Sequence, residues 1–220
     1  MSNLEYESAF GYDAIIGIDE AGRGPLAGGV YAATVSINLD RARVLIENEW
    51  KGVNDSKRLS EKKREKFAAI IKSTPDCFWA IASASPKEID ELNILRATHL
   101  AMKRAAEQVG AKIKEKLPDS TIGILVDGNP VRCLPYPAQN IIKGDAKSLL
   151  IAAASILAKT ARDADCQRLD SLYPEYGFAR HKGYPTKDHI MMLEKFGPTP
   201  EHRVTFGPVA RVLENQTAFL

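Results

Sequence analysis

Short apolar runs alternate with helical patterns along the chain. Segments 14–19 and 29–37 are rich in Ile, Val, Ala and Thr and are joined by a glycine-rich turn, which predicts two consecutive strands that pair as a hairpin. Segments 78–84 and 121–126 have the same character and predict two further strands. Strands separated by helical segments are typical of the α/β class.

Three of the intervening segments carry helix signals. Ser60 precedes the basic segment EKKREKFAAIIK, which predicts a helix capped by Ser60. SPKE at 85–88 matches a capping box with proline in the first turn, and we expect a helix that continues or restarts near Asn93 and runs to about Val109. From Ala146 onward an alanine-rich segment is too apolar for a surface helix, so we expect it to pack on the sheet.

The C-terminal part of the chain has a looser pattern. Pro and Gly interrupt it beyond Tyr173, and one clear helix is predicted near Thr186–Phe196. We therefore expect a main domain over residues 1–170 and a helical C-terminal subdomain with a tail over residues 171–220.

Composition narrows the classes of protein. The 220 residues are 45% hydrophobic and 26% charged, as in ordinary globular proteins. No apolar run approaches the roughly 18 residues of a membrane-spanning helix, and the N-terminal segment MSNLEYESAF lacks the pattern of a signal peptide. We expect a cytoplasmic protein with no membrane partner.

Charge and cysteine content exclude little else. Thirty basic residues against 28 acidic ones give a net charge of +2. Any nucleic-acid partner would therefore have to bind to local clusters of basic residues. Cys77, Cys133 and Cys166 are too far apart for a zinc site and fit a reducing compartment.

The segment IGIDEAGRG at 16–24 ends a predicted strand with two acids and then places an arginine between two glycines. GRGPLA at 22–27 also fits the glycine pattern of a dinucleotide site, with Asp40 near the place of a ribose-binding acid. That site needs a helix at the glycines, whereas the strand pattern GGVYAATVSI follows Pro25. A nucleotide-binding oxidoreductase is therefore a minor alternative, which a NAD titration would test.

Four acids stand at the ends of predicted elements: Asp19, Glu20, Asp127 and Asp145. Taken singly, each has an ordinary explanation as a helix cap, an Asp-Gly turn or a solvated strand end. Neighbouring strands lie about 4.8 Å apart, so strand ends that face the same way would gather several carboxylates. Like charges at that range destabilise folding, and divalent cations that prefer oxygen ligands would neutralise them. Taken together, the acids favour a metal site.

Strand alternation complicates this interpretation for Asp19 and Glu20. Adjacent residues of a strand point to opposite faces of its sheet. Both acids can bind metal only if the chain twists out of its ladder there, which Gly22 and Gly24 would permit.

A collinear series of sequence blocks resembles bacterial ribonuclease HII. The blocks are IDEAGRGPLAG, NDSKRLS, DELNILRAT, VDGN, KGDAKSLLIAAASILAKTARD, YPEYGFARHKGYPT and HRVTFGPV. The resemblance covers about residues 14–210 and includes all four acids; the N-terminal dozen residues and the tail from about 212 lie outside it. Several blocks in one order are far more specific than any single motif.

The resemblance implies a ribonuclease H-like α/β fold, in which a central mixed β-sheet is flanked by helices and followed by a small helical C-terminal part. It implies an endonuclease that hydrolyses the RNA strand of RNA–DNA hybrids and nicks 5′ of single ribonucleotides in duplex DNA, removing misincorporated ribonucleotides. It assigns Asp19, Glu20, Asp127 and Asp145 as catalytic residues and as ligands of two Mg²⁺ or Mn²⁺ ions. Two-metal hydrolysis would leave 3′-hydroxyl and 5′-phosphate ends.

The resemblance also implies substrate contacts. Gly22, Arg23 and Gly24 would recognise the ribonucleotide's 2′-hydroxyl and a nearby phosphate, and Tyr184 would pack against the following sugar. A core tyrosine beside a turn is the alternative for Tyr184.

Several residues near these motifs are candidate phosphate contacts. Lys57, Arg180 and Lys182 are the substrate-binding candidates, with Asn54, Ser56, Lys147, Lys159 and His181 as neighbours of less defined role. Phosphate contacts supply affinity without sequence information. Simple surface charge, or a turn and cap in NDSK, is the alternative.

Two other functions remain in view. A non-catalytic hybrid-binding module would have no reason to keep the complete acid set, and a ribonuclease HIII usually carries an extra N-terminal domain, whereas about 13 residues precede the first strand here. The expected partners are RNA–DNA hybrids and ribonucleotide-containing duplex DNA, bound by a monomer. The tail ENQTAFL resembles a sliding-clamp peptide only vaguely, and chance similarity is the favoured explanation.

Overall fold

A five-stranded mixed sheet forms the centre of the computed structural model, which describes residues 3–217 and the side chains of residues 3–215. The strands are β1 (Ala14–Ala21), β2 (Val30–Ser36), β3 (Phe78–Ala84), β4 (Ile122–Asp127) and β5 (Ala138–Ile141). They lie in the order β3-β2-β1-β4-β5. The pairs β1–β2 and β2–β3 are antiparallel, whereas β1–β4 and β4–β5 are parallel. The predicted hairpin and α/β class are confirmed.

Helices cover the sheet and form the C-terminal part. They are α1 (Glu5–Ala9), α2 (Leu39–Glu47), α3 (Glu61–Ser73), α4 (Pro86–Leu92), α5 (Ile94–Lys116), α6 (Leu149–Leu172), α7 (Phe178–His181), α8 (Lys187–Phe196) and α9 (Gly207–Thr217). Short 3-10 turns lie at Ser56–Arg58 and Gly144–Ala146. No helix in the described part of the chain is long and apolar enough to cross a membrane.

Local capping explains where the predicted helices begin. The Ser60 hydroxyl accepts from the Lys63 amide, and Ser85 and Glu88 form the complete capping box. The side chain of Asn93 caps the restarted helix α5, which runs to Lys116 instead of ending near Val109. Helices α1, α2, α7 and α9 and strand β5 were not predicted.

Residues of β1 alternate between the two faces of the sheet. Ile15 belongs to the core shared with α6, while Ile16 and Ile18 belong to the core shared with α5. Gly17 lies on the α6 side, and a Cβ there would be 2.3 Å from the carbonyl carbon of Leu150. The absence of a side chain at Gly17 therefore lets α6 lie directly on β1, and the predicted packing of the alanine-rich helix on the sheet is confirmed.

The C-terminal helices pack on the connection between β1 and β2. This connection, residues 22–29, is called the β1–β2 loop below. Its residue Leu26 shares a small core with α8 and α9, and Ala27 packs with Leu169, Tyr176 and Phe178. The predicted boundary near 170 falls inside α6, which ends at Leu172; the division into two domains stays a prediction.

Candidate active site

Three carboxylates meet at one edge of the sheet. Asp19 and Asp127 stand at the carboxyl ends of β1 and β4, which are parallel neighbours with Ile18 opposite Val126. Asp145 comes from the 3-10 turn before α6. One carboxylate oxygen from each of these acids lies within 4.8 Å of the others. The parallel register brings Asp19 and Asp127 together and the 3-10 turn adds Asp145, so three of the four predicted acids meet.

Backbone amides fix the orientation of two of these acids. The Glu20 amide donates to Asp19 Oδ1 at 2.7 Å, and the Gly144 amide donates to Asp127 Oδ1 at 2.6 Å. The second bond joins the end of β4 to the turn that carries Asp145. The carboxylates of Asp19 and Asp127 are therefore held in place by the main chain before any ligand binds.

The electrostatics of the group favour a cation. Burial, and then the carboxylates of Glu20 and Asp127, hold the pKa of Asp19 well above its usual range. Burial, Asp127 and Asp55 raise the pKa of Asp145 to about 6. Burial works against the charge of Lys57, but the Asp145 and Asp19 carboxylates raise its pKa overall. Full ionisation of the group is therefore unfavourable unless a cation neutralises it.

The donor chemistry of this group fits a hard divalent cation. Asp19 and Asp145 are each only 6% exposed, and the described residues place no histidine or cysteine in the group. Carboxylate oxygens without soft ligands suit Mg²⁺ or Mn²⁺. These three acids could therefore hold a divalent metal ion.

Glu20 is near the three clustered acids but is not one of the group whose carboxylate oxygens lie within 4.8 Å of one another. The β1–β2 ladder continues without interruption through Ala21 opposite Tyr31, so the twist that would let both Asp19 and Glu20 bind metal is not seen. Instead, Arg23 Nη1 donates to Glu20 Oε1 at 3.4 Å. Burial, together with Asp127, still raises the pKa of Glu20 against the effect of Arg23. Glu20 is therefore near the site, and its role as a ligand stays a prediction.

A cleft of about 340 Å³ lies beside the acids. Its lining includes most of the predicted substrate-binding residues: Gly22, Arg23, Gly24, Lys57, Lys182 and Tyr184. Tyr184 is 47% exposed, which excludes a core tyrosine. A Cβ at Gly24 would be 3.2 Å from the Tyr184 ring, so glycine leaves room for the ring beside the β1–β2 loop.

Two basic candidates lie elsewhere. The Arg180 guanidinium is largely exposed and pairs with Asp188 at 3.2 Å, outside the cleft lining. His181 is buried, and its ring bonds to the Tyr176 carbonyl. The buried ring of His181 is used within the C-terminal part, whereas a phosphate contact by the exposed Arg180 stays a prediction.

Some residues of the site were missed in the sequence. Asp55 lies close enough to Asp145 to raise its pKa. Ser155 and Arg162 were also missed, and both line the cleft from α6 together with Lys159, which was already a candidate. Their spacing of four and three residues places them on one helix face, a signal that could have identified Ser155 and Arg162.

Comparison with known proteins agrees with this geometry. The family model of ribonuclease HII matches residues 16–209. A ribonuclease HII from Chromobacterium violaceum is 53% identical over 196 residues, covering 89% of this chain and 91% of that protein.

Solved structures share the fold over nearly the whole chain. The ribonuclease H2 from Pyrococcus horikoshii OT3 has a TM-score of 0.67 and 26% identity, covering 92% of this chain and 98% of that one. The complex of PCNA with ribonuclease HII from Archaeoglobus fulgidus contains a chain with a TM-score of 0.63 and 26% identity, covering 90% of this chain and 96% of that one. The chain therefore belongs to the ribonuclease HII family of ribonuclease H enzymes.

Proposed function

We propose that this endonuclease of RNA–DNA hybrids also nicks duplex DNA on the 5′ side of a single embedded ribonucleotide, using two Mg²⁺ or Mn²⁺ ions. The observation that carries the proposal is that the cluster of Asp19, Asp127 and Asp145 adjoins the cleft lined by the β1–β2 loop. Residues suited to metal binding and residues suited to contacting a sugar-phosphate chain thus adjoin. Removal of misincorporated ribonucleotides from DNA is the corresponding cellular role.

Asp19, Asp127 and Asp145 would hold the ions, and Glu20 would join them on release from Arg23. Bound there, the ions supply an activated water and charge stabilisation at the leaving oxygen of an in-line displacement. The part of the chain that the structure describes places no histidine or cysteine in the cleft lining. Water as the nucleophile requires neither residue type; the hydroxyls of Ser56 and Ser155 also line the cleft.

The cleft residues divide into two kinds of substrate contact. The glycines of the β1–β2 loop allow the backbone to approach a ribose, and the exposed ring of Tyr184 offers a flat apolar surface to the next sugar. Lys57, Lys182 and Arg23 provide positive charge for phosphates. The protein would recognise the 2′-hydroxyl and the sugar-phosphate backbone of the substrate, independently of base sequence.

A sliding clamp remains a weaker candidate partner. Support comes from the similarity to the Archaeoglobus fulgidus chain, whose complex contains PCNA. The last residues of the tail ENQTAFL, 218–220, lie outside the described residues. We propose that the enzyme cleaves as a monomer in the cytoplasm without such a partner.

A labelled duplex with one ribonucleotide tests the proposal, with Mg²⁺, Mn²⁺ or EDTA present. We expect one nick 5′ of the ribonucleotide, with 3′-hydroxyl and 5′-phosphate ends, and none in EDTA. An all-deoxy duplex should be cut at least about 10⁴-fold more slowly, because the site would be left with unpaired polar groups. The Asp127→Asn variant, purified in the same way, controls for contaminating nucleases.

The product ends decide the mechanism. A nick 3′ of the ribonucleotide, or a 2′,3′-cyclic phosphate end, would show that the ribose itself is the nucleophile. Cleavage that continues in EDTA would exclude the metal-dependent reaction.

A further inference from the structure

Arg203 is a buried arginine that bonds to the β1–β2 loop across the fold. It is 0% exposed, and its guanidinium donates to four carbonyl oxygens of that loop. The acceptors are Gly22 at 2.6 Å, Arg23 at 2.9 Å, Gly28 at 2.9 Å and Gly29 at 3.3 Å. One side chain therefore ties together both arms of the loop.

The surroundings of Arg203 hold its guanidinium in place. The group lies over the Phe206 ring, 5.1 Å from its centroid. Burial, and then the nearby Arg162, lower the pKa of Arg203 to about 9, which leaves the guanidinium charged at pH 7. Among the described residues no salt bridge involves Arg203, so carbonyl oxygens are its hydrogen-bond partners. A planar fork of five donors suits this set of acceptors, and a lysine ammonium does not.

These bonds set the direction of two consecutive peptide groups. In a planar trans peptide the N–H of one residue points opposite to the carbonyl of the residue before it. Because the Gly22 and Arg23 carbonyls point to Arg203, the amides of Arg23 and Gly24 point away from it. Both residues line the cleft, and in the part of the chain that the structure describes neither amide has a hydrogen-bond acceptor.

We propose that Arg203 is a positioning residue, which aims the Arg23 and Gly24 amides into the cleft so that they can donate to the 2′-hydroxyl oxygen of the ribonucleotide. This inference rests on the proposed function of the β1–β2 loop. Arg203 would thus make the loop selective although it lies about 180 residues away in the sequence. Arg203 itself does not reach the substrate, because it is wholly buried beneath the loop.

A structural role alone would have a different consequence. If Arg203 only stabilised the fold, its replacement would weaken binding of every duplex equally. If it aims the amides, its replacement would remove the preference for a ribonucleotide and leave phosphate contacts unchanged. The ratio of two dissociation constants separates the two cases.

The experiment measures binding by fluorescence anisotropy in EDTA, with the full chain carrying Asp145→Asn to exclude cleavage. Its ligands are two duplexes of one sequence, one with a single ribonucleotide and one all-deoxy. Two neutral hydrogen bonds predict a preference of about 10-fold for the ribonucleotide duplex. Adding Arg203→Lys should lower this preference below about 3-fold and leave the affinity for the all-deoxy duplex unchanged.

The matched control is Arg104→Lys, which changes an arginine that also donates to a carbonyl, that of Ser83, and lies outside the cleft. It should retain the full preference. If the Asp145→Asn parent shows no preference, the proposed reading of ribose by the loop fails. If the parent shows the preference and Arg203→Lys retains it, the positioning role of Arg203 is overturned and the proposed function stands.

A second variant decides the question if Arg203→Lys does not fold. Phe206→Leu removes the ring beneath the guanidinium and keeps all of its donors. A preference that falls at least about 2-fold would support the positioning role. An unchanged preference in a folded Phe206→Leu protein would overturn it.

Discussion

Replacing Asp145 with asparagine should abolish cleavage and, without metal, make the protein more stable. The side chain is 6% exposed and shares a 4.8 Å cluster with Asp19 and Asp127. Its pKa is raised from 3.8 to about 6, mainly by burial and by Asp127. One pKa unit corresponds to about 1.4 kcal/mol, so the charged Asp145 costs up to about 3 kcal/mol in the folded state. Because solvent and neighbouring protonation screen part of the repulsion, we expect a gain of about 1–3 kcal/mol.

The pH dependence has a definite sign. Between pH 3.8 and about 6 the folded protein binds more protons at Asp145 than the unfolded chain does, so its stability falls as the pH rises. The penalty is complete above about pH 6 and absent below pH 3.8. The gain from Asp145→Asn should therefore be largest at neutral and alkaline pH and shrink on acidification.

Urea unfolding at pH 8 with EDTA, and again with excess Mg²⁺, measures both effects. The wild-type protein should gain stability from Mg²⁺ by mass action, and Asp145→Asn should gain much less. Asp119→Asn, which changes an exposed acid before β4, is the control for loss of one negative charge. An Asp145→Asn protein less stable than wild type in EDTA, or equally stabilised by Mg²⁺, would refute the reasoning.

Three further changes test other parts of the structure. Tyr184→Ala should reduce cleavage at a single ribonucleotide much more than Tyr184→Phe, since the exposed ring is what offers packing surface; equal losses in steady-state assays would indicate a hydrogen bond instead. Burial lowers the pKa of His202 to about 3 and that of His189 to about 4, so stability should fall as the pH drops below about 6.5. His202→Gln should flatten this loss in urea unfolding at pH 7.5 and 4.5, and an equal loss in both proteins would contradict the argument. Glu7 Oε1 accepts from the Ser148 hydroxyl at 2.6 Å and the Leu150 amide at 3.0 Å, so Glu7→Ala should cost about 2–4 kcal/mol of unfolding free energy. A cost below about 1 kcal/mol, no larger than that of the exposed-site variant Glu5→Ala, would show that α1 does not anchor the start of α6.

The sequence by itself determined the elements whose signals are local. The caps at Ser60 and Ser85 act within four residues, so they mark the starts of α3 and α4 without reference to the rest of the fold. The strands β1 to β4 are marked in the same local way, by dense apolar runs within each strand. The positions of the acids at strand ends were likewise visible in the sequence. That Asp19 and Asp127 meet follows from the parallel pairing of β1 and β4, which brings their carboxyl ends together.

Elements that depend on distant partners were not visible. Strand β5 has three exposed residues out of four and no apolar pattern. It forms because its backbone pairs with the edge of β4. The N-terminal helix α1 is short, and its buried Glu7 bonds to the start of α6, 141 residues away for the Ser148 contact. Isolated helices of this length are not stable in water, so the pattern of five residues could not predict it.

The tertiary structure alone decided how the site is assembled. Glu20 stays in the β1–β2 ladder, where its carboxylate pairs with Arg23 and is not one of the three that cluster, although it is adjacent in sequence to Asp19. The direction of the amides in the β1–β2 loop depends on Arg203, whose bonds to the loop span 174 to 181 residues. Sequence patterns report the preferences of neighbouring residues, whereas the orientation of a peptide group follows from where its hydrogen-bond partner lies after the chain has folded.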